Sequence, residues 1–190
     1  KQPPPNPPII LSVGTITRRK GVHLLLNALA TIKDRPWQAV ICGGREHDPA
    51  YAAEVDVVLA DHQLESRVTF TGSVTPNELA HWYAKSSFFV LASHYEGYGM
   101  AFAEAIRYGL PVVGFDVGAV PDTVGEAGVL VPDGDQAALI TATARLLDDQ
   151  DWFETMRVRA QDQGARYPDW PDTAGIFAHS LDQLMEAYHG

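Results

Sequence analysis

Cysteine occurs once in the 190 residues, at position 42. A single thiol excludes a disulfide framework and a zinc cluster built on thiolates. Long apolar runs are also missing, so nothing in the sequence reads as a transmembrane helix, and no secretory signal pattern opens the chain. Basic residues are scarce, 14 against 24 acidic ones, and the formal net charge is −10. That surplus argues against general nucleic-acid binding and against a broadly basic membrane face. The seven histidines show no metal-ligand spacing such as His-Glu-x-x-His. No Ser-His-Asp or Cys-His arrangement suggests a protein nucleophile. An initiator Met is absent as well, which points to a fragment of a longer protein. What remains is an ordinary globular, cytoplasmic composition, with length enough to bury one domain's core.

Residues 1–8 hold five prolines in the run Lys1-Gln2-Pro3-Pro4-Pro5-Asn6-Pro7-Pro8. Such a run is stiff and extended, and reads as an interdomain linker. The domain proper spans 9–190. Short apolar strands are expected over 9–13, 37–42, 67–70, 87–92, 111–115 and 128–131. Helices are expected over 22–32, 51–61, 103–108, 137–147, 152–166 and 173–188, with one more starting at Thr75. There Thr75-Pro76-Asn77-Glu78 is a capping box with Pro in the first helical position. In the first helix Leu24, Leu25, Ala28 and Leu29 are expected to face the core, and Asp135 to cap the helix over 137–147. Cys42 ends an apolar strand and reads as a buried, inert thiol. Strands alternating with helices predict an α/β, Rossmann-like parallel sheet of about six strands with helices on both faces. Ligands of such folds bind outside the carboxyl ends of the strands.

Two loops at that end carry chemistry. Glu96-Gly97-Tyr98-Gly99-Met100-Ala101-Phe102-Ala103-Glu104 follows an apolar strand and runs into a helix. First-turn amides have no intrahelical acceptor, and the helix dipole favours negative charge there. A carboxylate stands on either side of these amides. Amides suit phosphates and carboxylates suit hydroxyls, so the corner fits a sugar joined to a diphosphate. The second loop is Gly14-Thr15-Ile16-Thr17-Arg18-Arg19-Lys20-Gly21, where three of the 14 basic residues are consecutive. Cations placed there can neutralise a diphosphate and stabilise it as a leaving group.

The pair of carboxylates separated by seven residues around a Gly-aromatic-Gly turn, with Gly109-Leu110-Pro111-Val112-Val113 behind it, resembles the donor site of retaining glycosyltransferases of the GT-B architecture. The resemblance is to the large family called group 1, or family 4, and it runs in order through most of the chain. It implies one half of a GT-B fold, the C-terminal nucleotide-sugar-binding domain. It also implies transfer from a UDP- or GDP-sugar to an acceptor, with the anomeric configuration kept. By the same resemblance Glu104 takes the ribose hydroxyls and Glu96 faces the transferred sugar. The amides around Gly97, Gly99, Met100 and Ala101 take phosphate or sugar oxygens, and Ser73 and Val74 run beside the base. Lys20-Gly21 matches the family's first donor loop beside Gly14. Thr15, however, stands where an arginine is usual, so Arg19, or with less support Arg18, is expected to replace that cation. Glu96, Lys20 and Arg19 are thus the expected catalytic set. No cofactor is implied and no bound metal is required.

The implied partners are the nucleotide sugar and a sugar, lipid-linked or small-molecule acceptor held by an N-terminal domain. Association of the full-length protein with a membrane surface is left open. Tyr98 reads as packing, His94 as the one histidine near the site, and Gly118 to Asp122 as a further loop at the ligand end. Two alternatives stay in view: an epimerase or hydrolase on the same architecture, and a nucleotide-sugar-binding module without turnover.

Overall fold

The computed structural model describes residues 5–167. The helix expected over 173–188 and the first half of the proline run lie outside the described residues. In chain order the strands are β1 (Ile9–Val13), β2 (Gln38–Cys42), β3 (Val68–Gly72), β4 (Phe88–Leu91), β5 (Val112–Phe115) and β6 (Gly128–Val131). Between and after them run α1 (Val22–Thr31), α2 (Pro49–Asp61), α3 (Pro76–Lys85), α4 (Met100–Arg107), α5 (Val120–Val124), α6 (Gln136–Asp148) and α7 (Gln150–Arg166).

All six strands are parallel, in the order β3-β2-β1-β4-β5-β6. The chain builds outward from β1 to β3 and then returns to lay β4 on the other side of β1. Leu11 in β1 therefore pairs with Val40 on one flank and Phe89 on the other. A reversal of this kind opens a crevice at the carboxyl ends of β1 and β4.

Strands covered on both faces have no polar alternation, and every residue of β4 and β5 is buried. Ile10, Leu25, Leu26, Tyr51, Val55 and Leu139 belong to the core under α1, α2 and α6. Ile9, Leu11, Tyr83, Phe102, Ile106 and Val124 belong to the core under α3, α4 and α5. The last helix, α7, supplies Met156 to the first and Ala160 to the second.

Local signals explain the helix starts. Thr75 and Glu78 form the expected capping box. Asp48, Asp135 and Asp149 each accept a hydrogen bond from the third amide beyond them. Cys42 is buried, and desolvation pushes its thiol pKa up. Four details differ from the sequence reading. Helix α4 begins at Met100, because Gly99 caps it in the left-handed region at φ 82°. The segment after Gly118 closes into the short helix α5. Leu26 is buried while Leu24 is half-buried, so the buried face of α1 runs through Val22, Leu25, Leu26, Ala28 and Leu29. Trp37 lies before β2, its ring under the Arg67 guanidinium at 3.7 Å and its indole N–H donating to Ile32 O at 2.9 Å.

Candidate functional site

The basic loop is shaped by what surrounds it. Gly14 N donates to Cys42 O at 2.9 Å and Ile16 N to Gly44 O at 2.8 Å, while the Ile16 side chain is fully buried. The Gly14-Thr15 backbone passes directly over Gly43, where a Cβ would stand 1.9 Å from Gly14 O. Arg18–Lys20 then make one 3₁₀ turn ended by Gly21 at φ 62°. Gly21 also lies against the end of β4, where an added Cβ would meet Ala92 O at 2.0 Å. Next to that contact His94 N donates to Arg19 O at 2.9 Å, and Ser93 Oγ donates to the same carbonyl at 3.1 Å. The loops after β1 and β4 are therefore bound to one another by backbone contacts. Gly21→Ala combines left-handed strain with overpacking, and is expected to destabilise the fold by roughly 2–5 kcal/mol. Thermal unfolding checks this; an unchanged midpoint would mean that the two loops tolerate separation.

The outcome of this geometry is a buried ion pair. Lys20 Nζ lies 2.5 Å from Glu96 Oε1, with side chains 12% and 10% exposed. The Lys20 stem crosses Gly14, where a Cβ would stand 3.1 Å from both Cδ and Cε. Arg19 reaches the same place: Nη1 donates to Tyr95 O at 2.6 Å and lies 3.8 Å from Glu96 Oε1. Arg18 turns away to pair with Glu54 and lies over the Tyr51 ring at 5.1 Å. Arg19, and not Arg18, stands beside Lys20. Thr15 is half-buried in the same loop.

Glu96 is held from the other side by the loop after β5. A Cβ at Gly118, φ 55°, would meet Glu96 O at 2.0 Å, and Ala119 N donates to that oxygen at 3.4 Å. Beyond Gly97 and Gly99, Phe102 N and Ala103 N both donate to Gly99 O. The Met100 and Ala101 amides precede the first possible intrahelical bond and face the crevice end of α4. Phe102 anchors this turn: it is buried, packs edge-on to Phe89 at 5.4 Å, and fills the space left by Gly114. Tyr98 does not pack as expected and is 58% exposed. Its backbone is what the fold uses, since Tyr98 O accepts from Thr123 Oγ1 at 2.5 Å.

Glu104 is exposed one turn into α4, and its Oε2 accepts from the Tyr83 hydroxyl at 2.9 Å. Tyr83 is buried and stacked on Tyr108 at 5.3 Å. Burial first, then the Glu104 charge, raises its phenol pKa, so it acts as a fixed donor. Its apolar neighbours make it look like core in the sequence, which hides this role. His94 Nδ1 pairs with Asp133 Oδ1 at 2.6 Å. Ser73 is exposed and Val74 half-buried just beyond β3, three strands from β4, a separation of about 14 Å.

The crevice therefore gathers Gly14, Arg19, Lys20, Glu96, Gly97, Gly99, Met100 and Ala101. Glu104 lies toward α3, where it meets Tyr83, and Ser73 and Val74 lie just before the start of that helix. A separate shallow cleft of about 540 Å³ opens at the amino ends of the strands, around Arg35, Trp37 and Arg67. Its charged groups are already engaged: Arg35 with Asp34 and Asp148, Arg67 with backbone carbonyls and the Trp37 ring.

The family model for glycosyl transferases group 1 matches residues 7–149. A D-inositol 3-phosphate glycosyltransferase of Corynebacterium urealyticum is 33% identical over 187 residues, which cover 95% of this chain and 42% of the relative. A lipopolysaccharide core biosynthesis mannosyltransferase of Rhizobium meliloti is 31% identical, over 72% of this chain and 40% of that protein. Among solved structures, sucrose-phosphate synthase from Thermosynechococcus elongatus superposes with a TM-score of 0.83 at 32% identity. That match covers 95% of this chain and 46% of the other. Anabaena HepE in complex with UDP-glucose shares the fold, at TM-score 0.83 and 23% identity, over 92% of this chain and 48% of that one. The chain spans less than half the length of each of these proteins.

Proposed function

The chain belongs to the glycosyl transferases group 1, as a GT-B C-terminal domain, and from that premise we propose that it binds the donor, a UDP- or GDP-sugar, for retaining transfer of a hexosyl group. The observation that carries this reading is the convergence of Lys20, Arg19 and Glu96 with the α4 amides at the β1/β4 crevice. Lys20, Arg19 and the Met100 and Ala101 amides would face the diphosphate and carry its charge as the donor bond breaks. On this reading they supply the positive field that a divalent cation supplies in other transferases. Glu96 would meet the sugar hydroxyls and support positive charge at the anomeric carbon. Without a protein nucleophile in this role, retention follows from attack on the face the diphosphate leaves. The acceptor would be held by a second domain, as the shorter span relative to the matched proteins suggests.

Glu104 would take the ribose diol, with Tyr83 fixing its carboxylate. Tyr83→Phe is then expected to narrow the preference for UDP over 2′-deoxy-UDP by about three- to tenfold. Paired titrations with the two nucleotides check it; an undiminished preference would return Tyr83 to a packing role. A hydrolase or epimerase would need a base beside the sugar, and His94, bonded through its amide to Arg19 O and paired with Asp133, is a group of that chemistry beside the basic loop. Product analysis separates these reactions. The isolated chain should bind UDP or GDP weakly and transfer little sugar. Efficient transfer to a sugar acceptor by this chain alone would contradict the half-site reading.

A further inference from the structure

Resting on the reading of the crevice as a diphosphate site, we propose that Glu96 also competes with the diphosphate for Lys20, and so makes the site prefer the sugar nucleotide to the free nucleoside diphosphate. The ion pair is short, 2.5 Å, and nearly buried on both sides. Charges withdrawn from water are weakly screened, and an unpaired one is costly. Two cations among the described residues stand within 4.0 Å of Glu96. One is Lys20; the other is Arg19 at 3.8 Å, which also donates to Tyr95 O. Any diphosphate that draws Lys20 away leaves Glu96 short of a partner, and one that shares Lys20 faces the carboxylate across it.

The two ligands differ in what they return to Glu96. A sugar nucleotide brings hydroxyl donors to the carboxylate and replaces the hydrogen bond lost from Lys20. A free diphosphate brings only further negative charge. The same pair therefore tolerates the donor and opposes the nucleotide left after transfer. Once the sugar has gone to the acceptor, Glu96 recovers Lys20 and the diphosphate loses its principal cation. The pair thus favours product release, using residues already needed for binding.

The test is isothermal titration of UDP, GDP, UDP-glucose and GDP-mannose into this chain, with melting curves to show that each variant is folded. Glu96→Gln is expected to bind the free diphosphate about tenfold more tightly, the scale of one charge-assisted contact. Its affinity for the sugar nucleotide should stay level or fall. The gain should shrink in Lys20→Ala, where only the carboxylate's repulsion is left to relieve, and Glu96→Asp, with its shorter reach, should fall between wild type and Glu96→Gln. If Glu96→Gln fails to fold, Glu96→Asp carries the same test. Unchanged or weaker diphosphate binding in these variants, with wild-type binding still dependent on Lys20, overturns the competition and leaves the diphosphate site standing. Wild-type binding that is absent, or indifferent to Lys20→Ala, overturns both.

Discussion

Lys20→Ala should lower the affinity of this chain for UDP or GDP by about two decades, while uridine or guanosine changes little. A charge-assisted hydrogen bond contributes roughly 1.5–3 kcal/mol, or about one to two decades. A second effect acts in the same direction. Without Lys20, the Glu96 carboxylate keeps only Arg19 at 3.8 Å and faces the incoming phosphates unneutralised. Parallel titrations with nucleoside and nucleoside diphosphate isolate the phosphate share. Equal losses for both would make Lys20 a wall of the pocket and not a phosphate partner. Arg19→Ala should show the same selectivity with a smaller loss, because its side chain is 48% exposed and its charge better screened.

Glu96→Gln and Glu104→Gln should separate completely in a two-domain protein that contains this chain. On the proposed reading Glu104 faces a group that free nucleotide and sugar nucleotide share, so its change should weaken both by a similar factor, about tenfold. Glu96→Gln should instead lower kcat by about two to three decades, the scale on which a charge aimed at the transition state acts. Substrate affinity should move far less than turnover. Steady-state kinetics resolved into kcat and KM, beside nucleotide titrations, check the pair. Full turnover in Glu96→Gln would remove that residue from the chemistry, and undiminished nucleotide binding in Glu104→Gln would remove that one from the ribose.

Much of this architecture is written in local patterns. Runs such as Phe88-Phe89-Val90-Leu91 are apolar on both faces, and only a parallel sheet covered on both sides accommodates several of them. Thr75-Pro76-Asn77-Glu78 and Asp135 announce helix starts through groups that satisfy free amides. The carboxylates and the basic loop were visible as residue types at loop positions.

Other features depend on contacts far apart in sequence. Nothing near Lys20 indicates that its ammonium pairs with Glu96, 76 positions away, because Gly21 against Ala92 O and Gly118 against Glu96 O create that proximity. Arg18 and Arg19 are adjacent and chemically identical, and the position of Glu54 on α2 decides which one leaves. In the sequence Tyr98 reads as a packing residue, yet Phe102 is the aromatic that the open space at Gly114 admits. Short α5 lacked any side-chain cap to announce it.

Whether this end of the sheet is the ligand end can be read directly from backbone amide chemical shifts as UDP and GDP are titrated into the chain. The account predicts that the shifts concentrate in the loop Gly14 to Gly21, at Gly97, Gly99, Met100 and Ala101, and near Ser73 and Val74. The cleft around Arg35, Trp37 and Arg67 should stay silent. Shifts confined to that opposite cleft, or no response to either nucleotide at millimolar concentration, would contradict it.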